Sequence, residues 1–142
     1  PVYSSLEHVS GRATGVDTRS DIYSMGVVLY ELLVGTTPIA SESLQDLEPE
    51  RLREIVCNSR LPSMREQLQK TSKERQAKLA EHRAIKLDEL PKTLDGDLSW
   101  VVGKCLERDP DDRYASVLAL KDDLERWLDL RPVEARPTSG WY

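Results

Sequence analysis

The side chains able to do chemistry are few, and their spacing favours positioning over turnover. Asp21 stands at the head of an apolar run, Ser20 to Gly35 (SDIYSMGVVLYELLVG). A carboxylate set beside so many apolar side chains must be met by hydrogen-bond donors or it costs several kcal/mol. The plainer role for an acid there is to favour the positive end of the helix macrodipole. Glu7 and Arg113, taken singly, read as solvated surface charges. His8 has no obvious carboxylate or metal-ligand spacing around it and reads as a loop residue. Cys57 and Cys105 are far apart and lack a CxxC partner, which implies reduced thiols in a cytoplasmic protein and no metal centre.

The element that carries Asp21 is an expected helix from Ser20, as its cap, to Gly35, whose missing Cβ suits a left-handed C-cap; Pro38 prevents continuation. It is apolar on nearly every side, too short to cross a bilayer, and so expected inside a larger body. Gly26 lies in its interior, where glycine costs about 1 kcal/mol relative to alanine; close approach by another backbone, or a helix crossing, accounts for that. Residues 1–20 read as loop with a short helix near Leu6, punctuated by Gly11 and Gly15. A second helix is expected from Pro49, with Leu52, Ile55 and Val56 on one face and Pro62 beyond it. The charged stretch Gln67 to Asp88 carries a thin apolar stripe (Ala77, Leu79, Ala80, Ala84, Ile85) and reads as a helix on the surface. Its alternating charges mark a solvated face. Asp97 to Glu107 forms a further helix with Leu98, Val101, Val102, Cys105 and Leu106 on one face and Asp95 and Asp97 at its N-terminus. The last runs from Ser116 to Leu130, burying Val117, Leu120, Leu124, Trp127 and Leu128, before an extended tail marked by Pro132 and Pro137. No segment alternates at period two, so the fold class is mainly α, one central buried helix surrounded by others.

Three motifs, in order and at compatible spacings, carry a resemblance. Asp21-Ile22-Tyr23-Ser24-Met25-Gly26-Val27 with Tyr30-Glu31-Leu32-Leu33-x-Gly35-x-x-Pro38 resembles the central helix of the large lobe of serine/threonine protein kinases. Pro1-Val2-Tyr3-Ser4-Ser5-Leu6-Glu7 resembles the end of their activation segment, with Ser5-Leu6 in place of Ala-Pro. Cys105-Leu106-x-x-Asp109-Pro110-x-x-Arg113-Tyr114 resembles their closing arginine motif. Leu120, Asp123, Arg126, Trp127, Leu128, Arg131, Pro132, Val133, Ala135, Arg136 and Pro137 are similar to the ending of bacterial multidomain kinases, in which a linker, and often a membrane span, follows.

The resemblance implies a partial kinase domain over residues 1–131, a charged insertion at about 64–94 and a tail or linker at 132–142. It implies that Asp21 anchors the catalytic loop, that Glu7 and Arg113 form a buried ion pair, that Gly26 supports the same assembly, and that Pro1, Val2 and Tyr3 floor the substrate site. The Gly-rich loop, strand lysine, H-R-D and D-F-G of the family would precede Pro1. His82-Arg83-Ala84-Ile85-Lys86 echoes H-R-D-x-K, but Ala84 cannot accept a proton and the stretch follows the central helix. The chain therefore reads as the later part of the lobe, with no catalytic residue of its own. The parent would use ATP and Mg²⁺ to phosphorylate protein serine or threonine, and the fragment would bind neither. Its expected partners are the preceding part of the kinase domain and a protein substrate; a pseudokinase or a non-enzymatic helical binding module is the alternative. With a net charge of −5 and 32% charged residues the chain carries no nucleic-acid footprint. It has no apolar run of membrane length and no signal peptide.

Overall fold

The computed structural model describes residues 18–39 and 47–137. Pro1, Val2, Tyr3, Leu6, Glu7, His8, Gly11 and Gly15, and the side chains of Val56 and Cys57, lie outside that description. The described residues form seven α-helices and no strand: α1 (Thr18–Val34), α2 (Pro49–Asn58), α3 (Met64–Lys70), α4 (Lys73–His82), α5 (Leu90–Thr93), α6 (Asp97–Cys105) and α7 (Val117–Leu128), with a 3₁₀ turn at Pro110–Asp112. No helix among them is long and apolar enough to cross a membrane.

Helix α1 is the axis of the fold. Tyr23, Val27, Tyr30 and Val34 join Met64 and Leu68 of α3, Ala80 of α4, Leu90, Leu94, Val102 and Leu106 in one apolar cluster. Ile22 belongs to a second, with Val101, Cys105, Tyr114, Leu120 and Val133. Helices α1 and α6 serve both clusters, and they cross where α1 has no side chain. A Cβ on Gly26 would sit 2.5 Å from Cys105 Cβ and 3.1 Å from Leu106 Cδ2. The interior glycine is thus explained by a helix crossing.

The ends of α1 differ from expectation at one terminus. The helix begins at Thr18, so Ser20 lies in its first turn; the Ser20 carbonyl accepts from the Ser24 hydroxyl at 3.2 Å. At the other end Gly35 has φ +83° and its N–H reaches the Glu31 carbonyl at 2.7 Å, the expected left-handed stop. Arg83, from beyond α4, donates to the Leu32 and Leu33 carbonyls, each at 2.6 Å. It places a cation at the negative end of the axis helix.

The charged stretch forms two helices rather than one, and they pack. Met64, Leu68, Gln76 and Ala80 are buried. The break has a local cause. Ser72 caps α4 by accepting from Arg75 N–H, and the buried Gln76 amide donates to the Leu68 and Thr71 carbonyls at 2.9 Å each, closing the end of α3. A capping box between Ser63 and Glu66 starts α3. Helix α2 begins on Pro49 as expected. Helix α6 buries the expected face, but its N-cap is Gly96, because Asp95 is engaged by Arg65 of α3 while Asp97 occupies the first turn.

Helix α7 is capped by Ser116 as expected, yet Val117 and Leu128 are exposed and Asp123 is buried. The tail explains the exchange. Residues 131–137 turn back onto α7, burying Val133 and packing Ala135 beside it. Asp123, on the face that the tail covers, accepts their backbone N–H groups.

Candidate functional site

The candidate site is built on one side of α1. Asp21, Met25, Val28 and Leu32 follow one another at alternating spacings of four and three residues and are all exposed. Met25 is 39%, Val28 45% and Leu32 68% exposed. The opposite side of the same helix is the core. The expectation of an all-round buried rod is corrected: one stripe, one side chain wide, is open, with a carboxylate at its head. Among the described residues, none meets the Asp21 carboxylate in a hydrogen bond or ion pair.

Beside the first turn of α1 stands Arg113, buried at 3% exposure although it is a cation. Its guanidinium donates from Nε to the Glu107 carbonyl at 2.8 Å, from Nη1 to the Arg19 carbonyl at 3.0 Å and from Nη2 to the Arg108 carbonyl at 3.2 Å. It also lies 5.0 Å from the centre of the Tyr23 ring. The fork of donors explains why arginine is needed, since lysine offers no such planar array. Arg113 therefore ties the first turn of α1 to the segment after α6. Arg19 adds an ion pair to Asp111 of the 3₁₀ turn. The expected partner Glu7 and the expected substrate floor at Pro1, Val2 and Tyr3 lie outside the described residues. Of these residues, Arg113 holds the first turn of α1, Gly26 lies at the middle of the same helix on the side that crosses α6, and Asp21 stands near its start on the open side.

A second polar centre was hidden in the sequence. The Asp123 carboxylate accepts from Glu134 N–H at 2.6 Å, Ala135 N–H at 2.9 Å and the Tyr114 hydroxyl at 2.7 Å, with Arg126 at 3.5 Å. Burial opposes its charge, but these donors outweigh burial and hold its pKa below the usual carboxylate value. Burial, then the Asp123 hydrogen bond, raises the Tyr114 phenol. Burial pushes the Cys105 thiol up to about 12, so it is an unreactive packing group. The signal for Asp123 was an acid on the apolar face, three residues from Leu120 and four from Trp127. Tyr23 under Arg113 and Arg83 at the end of α1 had no sequence signal beyond their residue types.

Among the described residues no group of three or more His, Cys, Asp or Glu is gathered to hold a metal ion.

The chain is similar to several curated proteins. It is 31% identical over 130 residues to serine/threonine-protein kinase PknB of Mycobacterium tuberculosis, covering 92% of this chain and 16% of that protein. It is 30% identical over 138 residues to a probable serine/threonine-protein kinase of Streptomyces coelicolor, 97% of this chain and 16% of the relative. A segment of hybrid signal transduction histidine kinase G of Dictyostelium discoideum is 32% identical over 132 residues, 86% of this chain and 3% of that protein. The chain thus spans about one sixth of the length of the bacterial kinases it matches. No family model matches it. Over some nine-tenths of its residues the chain is homologous to a segment of serine/threonine protein kinases.

Proposed function

Kinship with serine/threonine protein kinases is the premise from which we propose that this chain is the helical later part of a kinase large lobe. On this reading the protein it serves transfers the γ-phosphoryl group of ATP to serine or threonine in a protein. The observation that carries the reading is the open stripe of α1. A helix with a core on one side and Met25, Val28 and Leu32 bare on the other is built to be covered on both. The cover we propose is the part of the kinase domain that holds the nucleotide, magnesium and general base.

The chain then acts by positioning. Phosphoryl transfer rests on positioning and electrostatic stabilisation, with little covalent work for the protein. Asp21, at the head of the stripe, accepts backbone N–H groups of the catalytic loop and fixes it. Arg113 braces the helix behind it and pairs with Glu7, and Pro1, Val2 and Tyr3 form the floor beneath the substrate. Gly26 holds α1 and α6 at the separation this arrangement needs.

The test is a phosphotransfer assay on the full-length protein with γ-labelled ATP and a serine- and threonine-containing substrate. We expect label on serine or threonine, and a loss of about a hundredfold in kcat for Asp21→Asn, the size of a misplacement effect. Full-length protein that folds and transfers no label would support the pseudokinase reading instead. For the 142-residue chain alone, Mg-ATP is expected to leave the melting temperature unchanged, and a saturable rise would contradict the assignment of the nucleotide to other parts of the kinase.

A further inference from the structure

A cleft of about 400 Å³ opens on the flank of α1 opposite the bare stripe, between α1, the link from α2 to α3, and α6. Its walls are apolar: Tyr30, Leu61, Met64, Val102 and Leu106. Asn58, Ser63 and Ser99 add polar atoms to the lining, and two of the polar groups there have partners within the chain. The Tyr30 hydroxyl donates to the Pro62 carbonyl at 3.0 Å, and the Ser63 hydroxyl accepts from Glu66 N–H. Two guanidinium groups, Arg60 and Arg108, also line it, with the carboxylate of Glu107 beside them and that of Glu66 paired to Arg60. Arg108 is held there by donating to the Ser59 carbonyl at 2.8 Å, which leaves its other donors available. The Arg60 side chain is 81% exposed and meets Glu66 at 3.2 Å.

Gly103 supplies the second observation. It lies inside α6, where glycine is less favourable than alanine, and it lines the cleft. At Gly26 the neighbouring helix forbids a side chain. At Gly103 a Cβ would meet nothing within 4 Å. No packing within the described protein requires this glycine, whereas a molecule lying along α6 would.

We propose that this cleft binds a small anionic amphiphile, with its apolar body against Tyr30, Met64 and Val102 and its carboxylate or sulfonate at Arg60 and Arg108. The volume lies in the range of small-molecule sites, and an apolar floor with two arginines at the rim is complementary to one apolar body bearing one negative end. The proposal is independent of phosphoryl transfer, because none of its residues belongs to the stripe.

The test is calorimetric titration of the 142-residue chain with decanoate and, separately, decanol, both below their aggregation limits. Decanoate is expected to bind at one saturable site and raise the melting temperature, and decanol to bind about tenfold more weakly, the worth of one charge-assisted contact. Gly103→Leu should abolish binding while the helical circular dichroism is kept. Arg60→Gln combined with Arg108→Gln should bring decanoate down to the level of decanol, a readout that does not depend on filling the cleft. Absence of decanoate binding, equal binding of the two compounds to the unaltered chain, or binding that survives Gly103→Leu would each overturn the proposal. So would binding of anionic vesicles or apolar peptides without binding of free decanoate.

Discussion

Two glycines inside helices, Gly26 buried in α1 and Gly103 exposed in α6, have opposite fates on substitution. Gly26→Ala would drive a Cβ to 2.5 Å from Cys105 Cβ, a rigid atom next to the backbone. It should destabilise the chain by about 2–3 kcal/mol, the upper range of overpacking, read from the urea midpoint. Gly103→Ala meets open space and should stabilise by up to about 1 kcal/mol in the same measurement. Asp123 gives a third outcome, with a definite sign in pH. Its folded pKa lies below the ordinary 3.8. In acid the unfolded chain therefore binds the proton first, and stability falls as pH drops through the folded value. The contribution is fully present above the unfolded value. Asp123→Asn should lower stability by about 3 kcal/mol at neutral pH, because the charge is lost and one of its two acceptor oxygens becomes an amide donor facing groups that themselves donate. The gap between variant and parent urea midpoints should narrow below pH about 4.

At the scale of elements, the helices with strong periodicity were legible and their meetings were not. Helix α6 declared its buried face in Leu98, Val101, Val102 and Cys105, and Gly35, Pro49 and Ser116 marked ends correctly, since those signals are local. The division of the charged stretch into α3 and α4 depends on Gln76 reaching back eight residues to the Leu68 carbonyl, which no helical period encodes. Exposure of Val117 and Leu128 was equally hidden, because it depends on the tail covering the Asp123 face instead. In the candidate site, Asp21, Gly26 and Arg113 could be named from motifs. The bare stripe beside Asp21 could not, because an all-apolar helix does not say which side is left uncovered. Two helix ends carry a residue poorly suited to them. Ala84, at φ 52°, and Leu130, at φ 57°, occupy the left-handed position that closes a helix. Ala84→Gly and Leu130→Gly should each stabilise by about 1 kcal/mol, measured by thermal unfolding. Arg83→Ala should do the reverse, fraying the last turn of α1 at a cost of about 2 kcal/mol; amide exchange at Leu33 to Gly35 would show it.

The molecule as a whole presents an apolar stripe on the same helix that organises its interior. If the stripe is a covered surface of a larger domain, Val28→Lys with Leu32→Glu should leave the melting temperature of the chain nearly unchanged, within about 0.5 kcal/mol for exposed positions. The same pair should abolish phosphotransfer by the full-length protein. A large loss of stability in the chain alone would mean that the stripe is part of its own core. The contact at Gly26 has a mechanical meaning as well. The two apolar clusters share α1 and α6, and at Gly26 those helices touch through the Cys105 and Leu106 side chains alone, with none from α1 between them. There is no plane along which one half can slide or peel from the other. Heat, denaturant or a pulling force should meet a single body that yields all at once, and a disturbance felt at one cluster is handed to the other undiminished.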